Sequence, residues 1–390
     1  MTARERQRVW VLTTFDISTA PGTTEAYYLV QKFAENWDTH VFAPLEGPIE
    51  SVHRHCLPLA SLGAVLMFNT VLTPWFVWLA LRRPPDVVII YKNIFVPALV
   101  VRLCTDAVVV YDIRADPYEQ AKEFAEFDPQ GLLYHAFLRV GRQLHQITLP
   151  RADGVVTLSD PLAERLQTDY GVPEEKIGLV PLAADPDAFT PASGNMDRVR
   201  IAYVGSLTKY RGLDNVVRAL AALKPELRSQ VRLDLYGGAD KELIDSLEAL
   251  APDGPAIEWH GYLDHDELSD EVAACDIAVS PLPPLASFEV SSPAKVYEYL
   301  ALGLPVVATD ITPHRRILDE GCAILVPSRD VDSMTDAFAR LVGDEAYRSQ
   351  LSAGAREQAL ENTWADRFET LCTHIDCWSS ATGRGVAAGN

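Results

Sequence analysis

The sequence predicts an α/β protein of two doubly wound, Rossmann-like domains, and three observations carry that prediction. Short β-rich apolar runs alternate with longer stretches of helical periodicity, the pattern of βα units on a parallel sheet. The pattern stops at a Pro- and Ala-rich stretch, 177–191 (IGLVPLAADPDAFTP), and then restarts. With 390 residues, 48% of them apolar, the chain is long enough for two separate cores.

In chain order, 9–13 reads as a strand, 14–24 as a polar Gly-containing loop and 25–36 as a helix, the opening unit of a doubly wound domain. The runs DVVIIY (86–91) and AVVVY (107–111) are continuously apolar, as parallel strands buried on both faces are. GVVTL (154–158) follows, with a helix from Asp160 ending at Gly171. After the linker, strands are expected at 200–204, 232–236, 257–260, 277–280, 306–309 and 323–326. Helices are expected between them at 214–223, 240–250, 266–274, 293–302 and 331–342, then at 344–362. The expected domains are therefore 1–190 and 191–362, followed by a closing segment 363–378 and a disordered tail 379–390 of low apolar content.

A net charge of −20 excludes the basic footprint of a nucleic-acid binder. The six cysteines, Cys56, Cys104, Cys275, Cys322, Cys372 and Cys377, form no C-x-x-C pair, which points to free thiols in a reducing compartment. The N-terminus lacks the apolar core and cleavage site of a signal peptide, so a cytoplasmic location is expected. No G-x-G-x-x-G follows the first strand, which argues against a dinucleotide-binding dehydrogenase.

The most informative segment is SSPAKVYEYLALGLPVVATD (291–310). Ser292 suits an N-cap and Pro293 the first helical position, where the missing N–H costs nothing. Free amides at that helix start would receive an anion. Lys295 opposes the helix dipole there, which is reasonable if an anion docks beside it. Glu298, about one turn on, is placed to accept from two ribose hydroxyls; a merely capped helix with a solvated Glu298 is the competing reading. A second cluster follows the strand 200–204, where Gly205, Ser206, Lys209 and Arg211 lie in a loop at the C-terminal edge of the sheet, the ligand-binding edge of open α/β folds. Its cations could offset the charge of a departing nucleoside diphosphate. Asp112, Arg114 and Asp116 end the strand 107–111, either as a substrate site or as a structural ion pair. Lys92, between Tyr91 and Asn93, and Gly22-Thr23-Thr24 are acceptor-side candidates. The D-x-D letters of Asp185 and Asp187 fall in the linker and read as turn chemistry, so no metal site is expected.

The order P-x-K-x-x-E-Y-x-A-x-G-x-P-V-V in 293–307 resembles the donor signature of the family-four retaining glycosyltransferases of the GT-B fold, and similar stretches extend from Gly154 onward (RADGVVTLSDPLAERL, RIAYVGSLTKYRGLDNVVRALAAL, HGYLDHDELSDEVAACDIAVSPL). The resemblance implies two Rossmann-like domains facing across a cleft, with the C-terminal one holding a nucleotide-diphosphate sugar and no further cofactor. It makes Glu298 the ribose-binding carboxylate and places Arg114 near the transferred sugar. The sequence departs from the family in two places. Val290 stands where many members carry an acid, leaving Glu289 next to it as the candidate, and Ser206 stands where the family has a phosphate-binding Arg. Arg211 takes the place of the family's Lys, and Lys209 is available to supply the missing charge. The implied function is metal-independent, retaining transfer of a sugar to a glycan or lipid-linked acceptor. Two alternatives are retained: a nucleotide-sugar hydrolase or epimerase on the same fold, and a non-catalytic nucleotide-sugar-binding protein.

One stretch stands outside this scheme. From Leu59 to Leu81 there is no charged residue, and the length suffices for a membrane span of roughly 20 residues. Spanning is disfavoured because the chain continues into the strand 86–91 of the same sheet, and Thr73-Pro74 suggests two short helices capped at Thr73. The expectation is divided between a buried helical pair and peripheral contact with a membrane.

Overall fold

The computed structural model describes residues 7–14, 24–43, 52–56, 61–91, 93–116, 118, 132–192 and 198–384. The chain divides into two compact units, 1–181 with 364–390, and 182–363.

Each unit is built on a wholly parallel sheet. In the first, β1 (Arg8–Leu12), β2 (Asp38–Ala43), β3 (His53–Cys56), β4 (Val87–Tyr91), β5 (Val108–Ile113), β6 (Gly154–Thr157) and β7 (Ile177–Leu179) lie in the order β3-β2-β1-β4-β5-β6-β7. In the second, β8 (Val199–Val204), β9 (Val231–Tyr236), β10 (Ala256–Gly261), β11 (Ile277–Ser280), β12 (Val306–Thr309) and β13 (Ala323–Val326) lie in the order β10-β9-β8-β11-β12-β13. Both orders reverse direction once, between β1 and β4 and between β8 and β11, and the crevice beyond the strand ends at such a switch is where doubly wound folds bind ligands. The first core gathers Trp10, Leu12, Phe42, Val88, Ile90 and Tyr111. The second gathers Tyr203, Leu233, Leu235, Val279, Val307 and Phe338.

The expected strands are all present, and three more join the first sheet. DTHVFA and HRHC carry too many polar side chains to read as buried strands from composition, and β7 hides inside the stretch taken as linker. The division between units falls at Pro181/Leu182 because 182–189 packs with the second unit. Ala184 bridges Thr363, and Arg356 donates to the carbonyls of Phe189 and Pro186 at 2.8 and 2.9 Å.

The C-terminal helix Trp364–Thr382 returns to the first unit, where Trp364 stacks on Tyr28 at 5.3 Å and Phe368 meets Phe33 edge-on at 4.9 Å. Its docking face is made by two strand glycines. A Cβ at Gly154 would lie 2.2 Å from the Trp378 ring, and one at Gly178 would lie 2.8 Å from the His374 ring. The tail expected to be disordered from 379 is ordered as far as Arg384: Ser379 is buried, and Arg384 donates to the carbonyls of Arg102 and Thr105 at 2.9 and 3.2 Å. The correction has a simple cause: backbone carbonyls at a helix end anchor a guanidinium without any apolar side chain. Residues 385–390 lie outside the described residues.

The uncharged stretch forms two helices, Ser61–Asn69 and Thr73–Arg82. Thr73 does not cap the second; Leu72 occupies that position and Thr73 Oγ1 instead donates to the Phe68 carbonyl at 3.0 Å. Phe68, Phe76 and Ala80 enter the core, while Leu66, Val71, Trp78 and Leu81 are exposed, with Arg82 over the Trp78 ring at 4.6 Å. Among the described residues no helix is long and apolar enough to cross a membrane. Cys104, Cys275, Cys322, Cys372 and Cys377 are free thiols.

Candidate functional site: a cation cluster at the switch point of the second sheet

The strand β8 ends at Val204, and the next residue must turn away from the sheet without obstructing its neighbours. Gly205 does so at φ +127°, and Gly237, at the end of β9, approaches its carbonyl so closely that a Cβ would come within 2.1 Å. The chain then makes a 3-10 turn over Lys209–Arg211 and reverses at Gly212 (φ +77°), where a Cβ would sit 2.2 Å from the Pro281 carbonyl beyond β11. Two positive-φ glycines therefore bring the loop after β8 against the end of β11. This is the switch point of the second sheet.

The helix Ala294–Ala301 lies over the same strand ends. Tyr299 is fully buried, and its hydroxyl accepts from the Val204 N–H at 2.7 Å, tying the helix to the last residue of β8. The helix begins one residue later than the sequence suggests. Pro293, in extended conformation (ψ 102°), is the N-cap, and Ser292 turns its hydroxyl to that of Tyr297 at 3.3 Å in place of capping. The free amides of the first turn remain uncapped by any side chain, which suits an anion.

Lys295 reaches back from this helix to the Gly205 loop. Its ammonium stands 3.9 Å from the centroid of the Tyr203 ring, and a Cβ on Gly205 would be 3.5 Å from Nζ. Burial, and next the charge of Arg211, depress the Lys295 pKa well below its ordinary value. Arg211 lies over the Phe288 ring at 5.0 Å, and its Nε is buried without a hydrogen-bond partner. Among the described residues no carboxylate comes within ion-pair distance of Lys209, Arg211 or Lys295, although the chain as a whole has 54 acidic residues for 34 basic ones. Glu298, one turn along, is pushed up to about 7 by burial, against the opposing pull of Lys295. The site thus holds two cations that repel one another and a carboxylate poorly solvated in its charged form. A bound group presenting negative charge to Lys295 and Arg211 and hydroxyl donors to Glu298 would relieve all three.

The neighbouring strand ends are fixed by a neutral histidine. Burial lowers His314 to about 4; its Nδ1–H donates to the Thr309 carbonyl at 2.7 Å, leaving Nε2 to accept from Ser280 Oγ at 2.9 Å. This links the ends of β12 and β11. Glu289 ends the short helix Ala286–Glu289 and accepts the Thr312 N–H at 3.3 Å.

Gly205, Ser206, Lys209, Arg211, Ser292, Lys295 and Glu298 therefore all lie on the two segments that meet at this switch point. Within the group, Ser206 and Lys209 are exposed, and Lys295 is the cation that stands beside Gly205. Sequence reasoning missed Tyr203, Phe288, Tyr299, Ser280 and His314. The aromatic residues were readable only as core, and the histidine lies outside the recognised signature. In the first unit, Asp112 is buried and its carboxylate grips Arg114 in a bidentate ion pair, one arm at 2.7 Å, while Arg114 Nη1 donates to the Val180 carbonyl at 2.7 Å. The two candidates are brought together at the C-terminal end of β5. Gly22, Thr23, Lys92 and the side chain of Thr24 lie outside the described residues.

Two family models cover these two units. Residues 22–183 match the "Glycosyl transferase 4-like domain" and residues 198–344 match "Glycosyl transferases group 1", the latter holding the whole cation cluster. The chain has the GT-B glycosyltransferase fold and is related to the glycosyltransferase 4-like and group 1 domain families. Among curated relatives of the family, the D-inositol 3-phosphate glycosyltransferase of Stackebrandtia nassauensis is 28% identical over 239 residues, 56% of this chain and 53% of its own. The MMP alpha-(1->4)-mannosyltransferase of Mycolicibacterium hassiacum is 26% identical over 229 residues, 57% of this chain and 51% of its own. The chain spans about half the length of the curated relatives it matches. Among solved structures, sucrose-phosphate synthase from Thermosynechococcus elongatus superposes with a TM-score of 0.75 at 17% identity, over 96% of this chain and 100% of its own. Anabaena HepE, in complex with UDP and glucose, superposes with a TM-score of 0.70 at 15% identity, over 95% and 99%. At these identities the structural likeness speaks for the GT-B fold.

Proposed function

We propose that this chain is a glycosyltransferase that moves a sugar from a nucleotide-diphosphate donor to a glycan or lipid-linked acceptor, with retention at the transferred carbon. The observation that carries the reading is the meeting of Lys295 and Arg211, neither of them in an ion pair with a carboxylate among the described residues, at the switch point of the second sheet. In this reading the diphosphate docks on the two cations and the uncapped first turn of Ala294–Ala301, and Glu298 accepts from the ribose hydroxyls. The cations offset the charge that develops on the departing diphosphate, so donor chemistry is assigned to protein groups and needs no metal. Lys209, exposed on the same turn, adds to the local field. The Asp112–Arg114 pair belongs to the acceptor-side unit, where the carboxylate and the Val180 carbonyl hold the guanidinium at the C-terminal end of β5. The UDP complex of HepE and the relatives named for D-inositol 3-phosphate supply the first donor and acceptor to try.

The test follows nucleoside diphosphate release from UDP-, GDP-, ADP- and TDP-sugars, with and without acceptors such as inositol phosphate and polyprenol-linked saccharides. Acceptor-dependent release lost in Lys295→Ala and Arg211→Ala supports the reading. Equal release without acceptor assigns a hydrolase, and donor binding without release under any condition assigns a binding protein.

A further inference from the structure

A second cluster of chemically active side chains stands in the first unit, on two strands that carry none of the candidate site residues named above. It lies where β3, the edge strand of that sheet, pairs with β2. The parallel register sets His40 opposite His53 and Phe42 opposite His55. Side chains two apart on a strand share a face, so Asp38 and His40 of β2 and His53 and His55 of β3 project together.

The geometry points to a site for one divalent transition-metal ion of the zinc type, held by Asp38 Oδ1, His40 Nε2 and His53 Nε2. One ligand atom from each of the three residues lies within 4.8 Å of the other two. His53 Nε2 is 3.3 Å and His40 Nε2 3.5 Å from the same carboxylate oxygen. Such separations are long for charge-assisted hydrogen bonds, which settle near 2.7–2.9 Å. They match the edge of a tetrahedron whose centre lies about 2.0–2.1 Å from each ligand, which is roughly 3.4 Å.

The surrounding contacts complete the arrangement. The other carboxylate oxygen, Oδ2, accepts from Arg8 Nε at 2.7 Å, so Asp38 is fixed in orientation while Oδ1 stays available. The other nitrogen of His40, Nδ1, is 3.2 Å from His55 Nε2, the outer-shell hydrogen bond that ligating histidines make through their second nitrogen. The rings of His53, His40, His55 and Phe42 form one stacked column, with neighbouring centroids 4.6, 5.5 and 4.3 Å apart, which sets the imidazole planes. His53 is exposed and His40 buried, so the fourth position opens to water.

Imidazole with one carboxylate suits zinc and its neighbours better than magnesium or calcium. The ion would bridge β2 and β3 and pin an edge strand only four residues long. A similar trio in the second unit, Asp234, Glu258 and His260, lacks this freedom: Asp234 already receives Arg200 at 2.9 Å on one oxygen, and Arg232 at 3.0 Å and His260 at 2.9 Å on the other.

The test uses the full chain without a histidine tag, stripped with EDTA, titrated with zinc chloride against a chromogenic chelator near neutral pH. The expected result is one ion per chain, with affinity reduced at least about tenfold in His53→Ala and unchanged in Glu258→Ala. His53 is solvent-facing, so its replacement leaves the core intact. Amide exchange across 53–56 should slow on adding zinc in the wild type and not in His53→Ala. Absence of stoichiometric binding, binding unaffected by His53→Ala, or loss only in Glu258→Ala would each overturn the assignment.

Discussion

Glu298→Gln separates the cost of the site from its use. Burial holds the Glu298 carboxyl at about 7 in place of the ordinary 4.5. A raised carboxyl favours the folded state while it is protonated. Its stabilising effect is complete below 4.5 and is lost as pH rises through about 7, because the folded chain keeps a proton that the unfolded chain has released. At about 1.4 kcal/mol for each tenfold, the separation corresponds to an upper bound on the order of 3 kcal/mol; since solvent still reaches this half-buried side chain, roughly 1–2 kcal/mol is the working figure. Glutamine keeps the shape and removes the charge. In a unit of this size that amounts to a gain of roughly 2–8 °C in Tm above pH 7.5 and almost none at about pH 4, where both states hold the proton, with no ligand present. Nucleotide-sugar affinity should move the other way, since hydrogen bonds to a charged group are worth about 1.5–3 kcal/mol. Melting curves of both proteins across pH, with and without donor, measure the two effects. An unchanged or lower Tm for the glutamine variant at high pH, or undiminished donor affinity, would refute the reasoning.

Further outcomes follow from the same contacts. Tyr299→Phe removes the acceptor of the Val204 N–H and should cost about 1–3 kcal/mol of stability by leaving that amide unpaired, read by urea titration. Arg211→Ala should lower kcat/KM at least about a hundredfold, whereas excess EDTA should leave turnover within about twofold of the untreated enzyme, because the phosphate charge is assigned to side chains. The exposed face of Leu66, Val71, Trp78 and Leu81 should bring the chain down with liposomes by apolar contact, with little salt dependence; Trp78→Ser/Leu81→Ser should abolish co-sedimentation, and a wild type that stays in the supernatant removes the membrane role.

Much of the fold is legible in the sequence because parallel strands buried on both faces are written as unbroken apolar runs. VVIIY and VVVYDI could be little else. HRHC could not be read this way: its histidines face an imidazole and a carboxylate on the neighbouring strand, a match visible only once the register is known. Much of the proposed donor site is legible too, since one continuous segment carries Ser292, Lys295 and Glu298 and a second carries Gly205, Lys209 and Arg211. What sequence does not reveal is which cation faces which partner. Lys295 lies on a different segment from Tyr203 and Gly205, and only the closure of β8 against the helix Ala294–Ala301 brings them together. The helix start moved by one residue for a local reason, since Pro293 in extended conformation serves as the cap and leaves Ser292 to Tyr297.

The central claim is that Lys295 and Arg211 form the diphosphate site of a nucleotide-sugar donor. Thermal-shift titration with UDP-, GDP-, ADP- and TDP-sugars, on wild type and on Lys295→Ala/Arg211→Ala, tests it most directly. At least one donor should stabilise the wild type, by about 2.7 kcal/mol at a hundred times its dissociation constant, and leave the double variant unmoved. A wild type indifferent to all four, or a double variant stabilised equally, would contradict it.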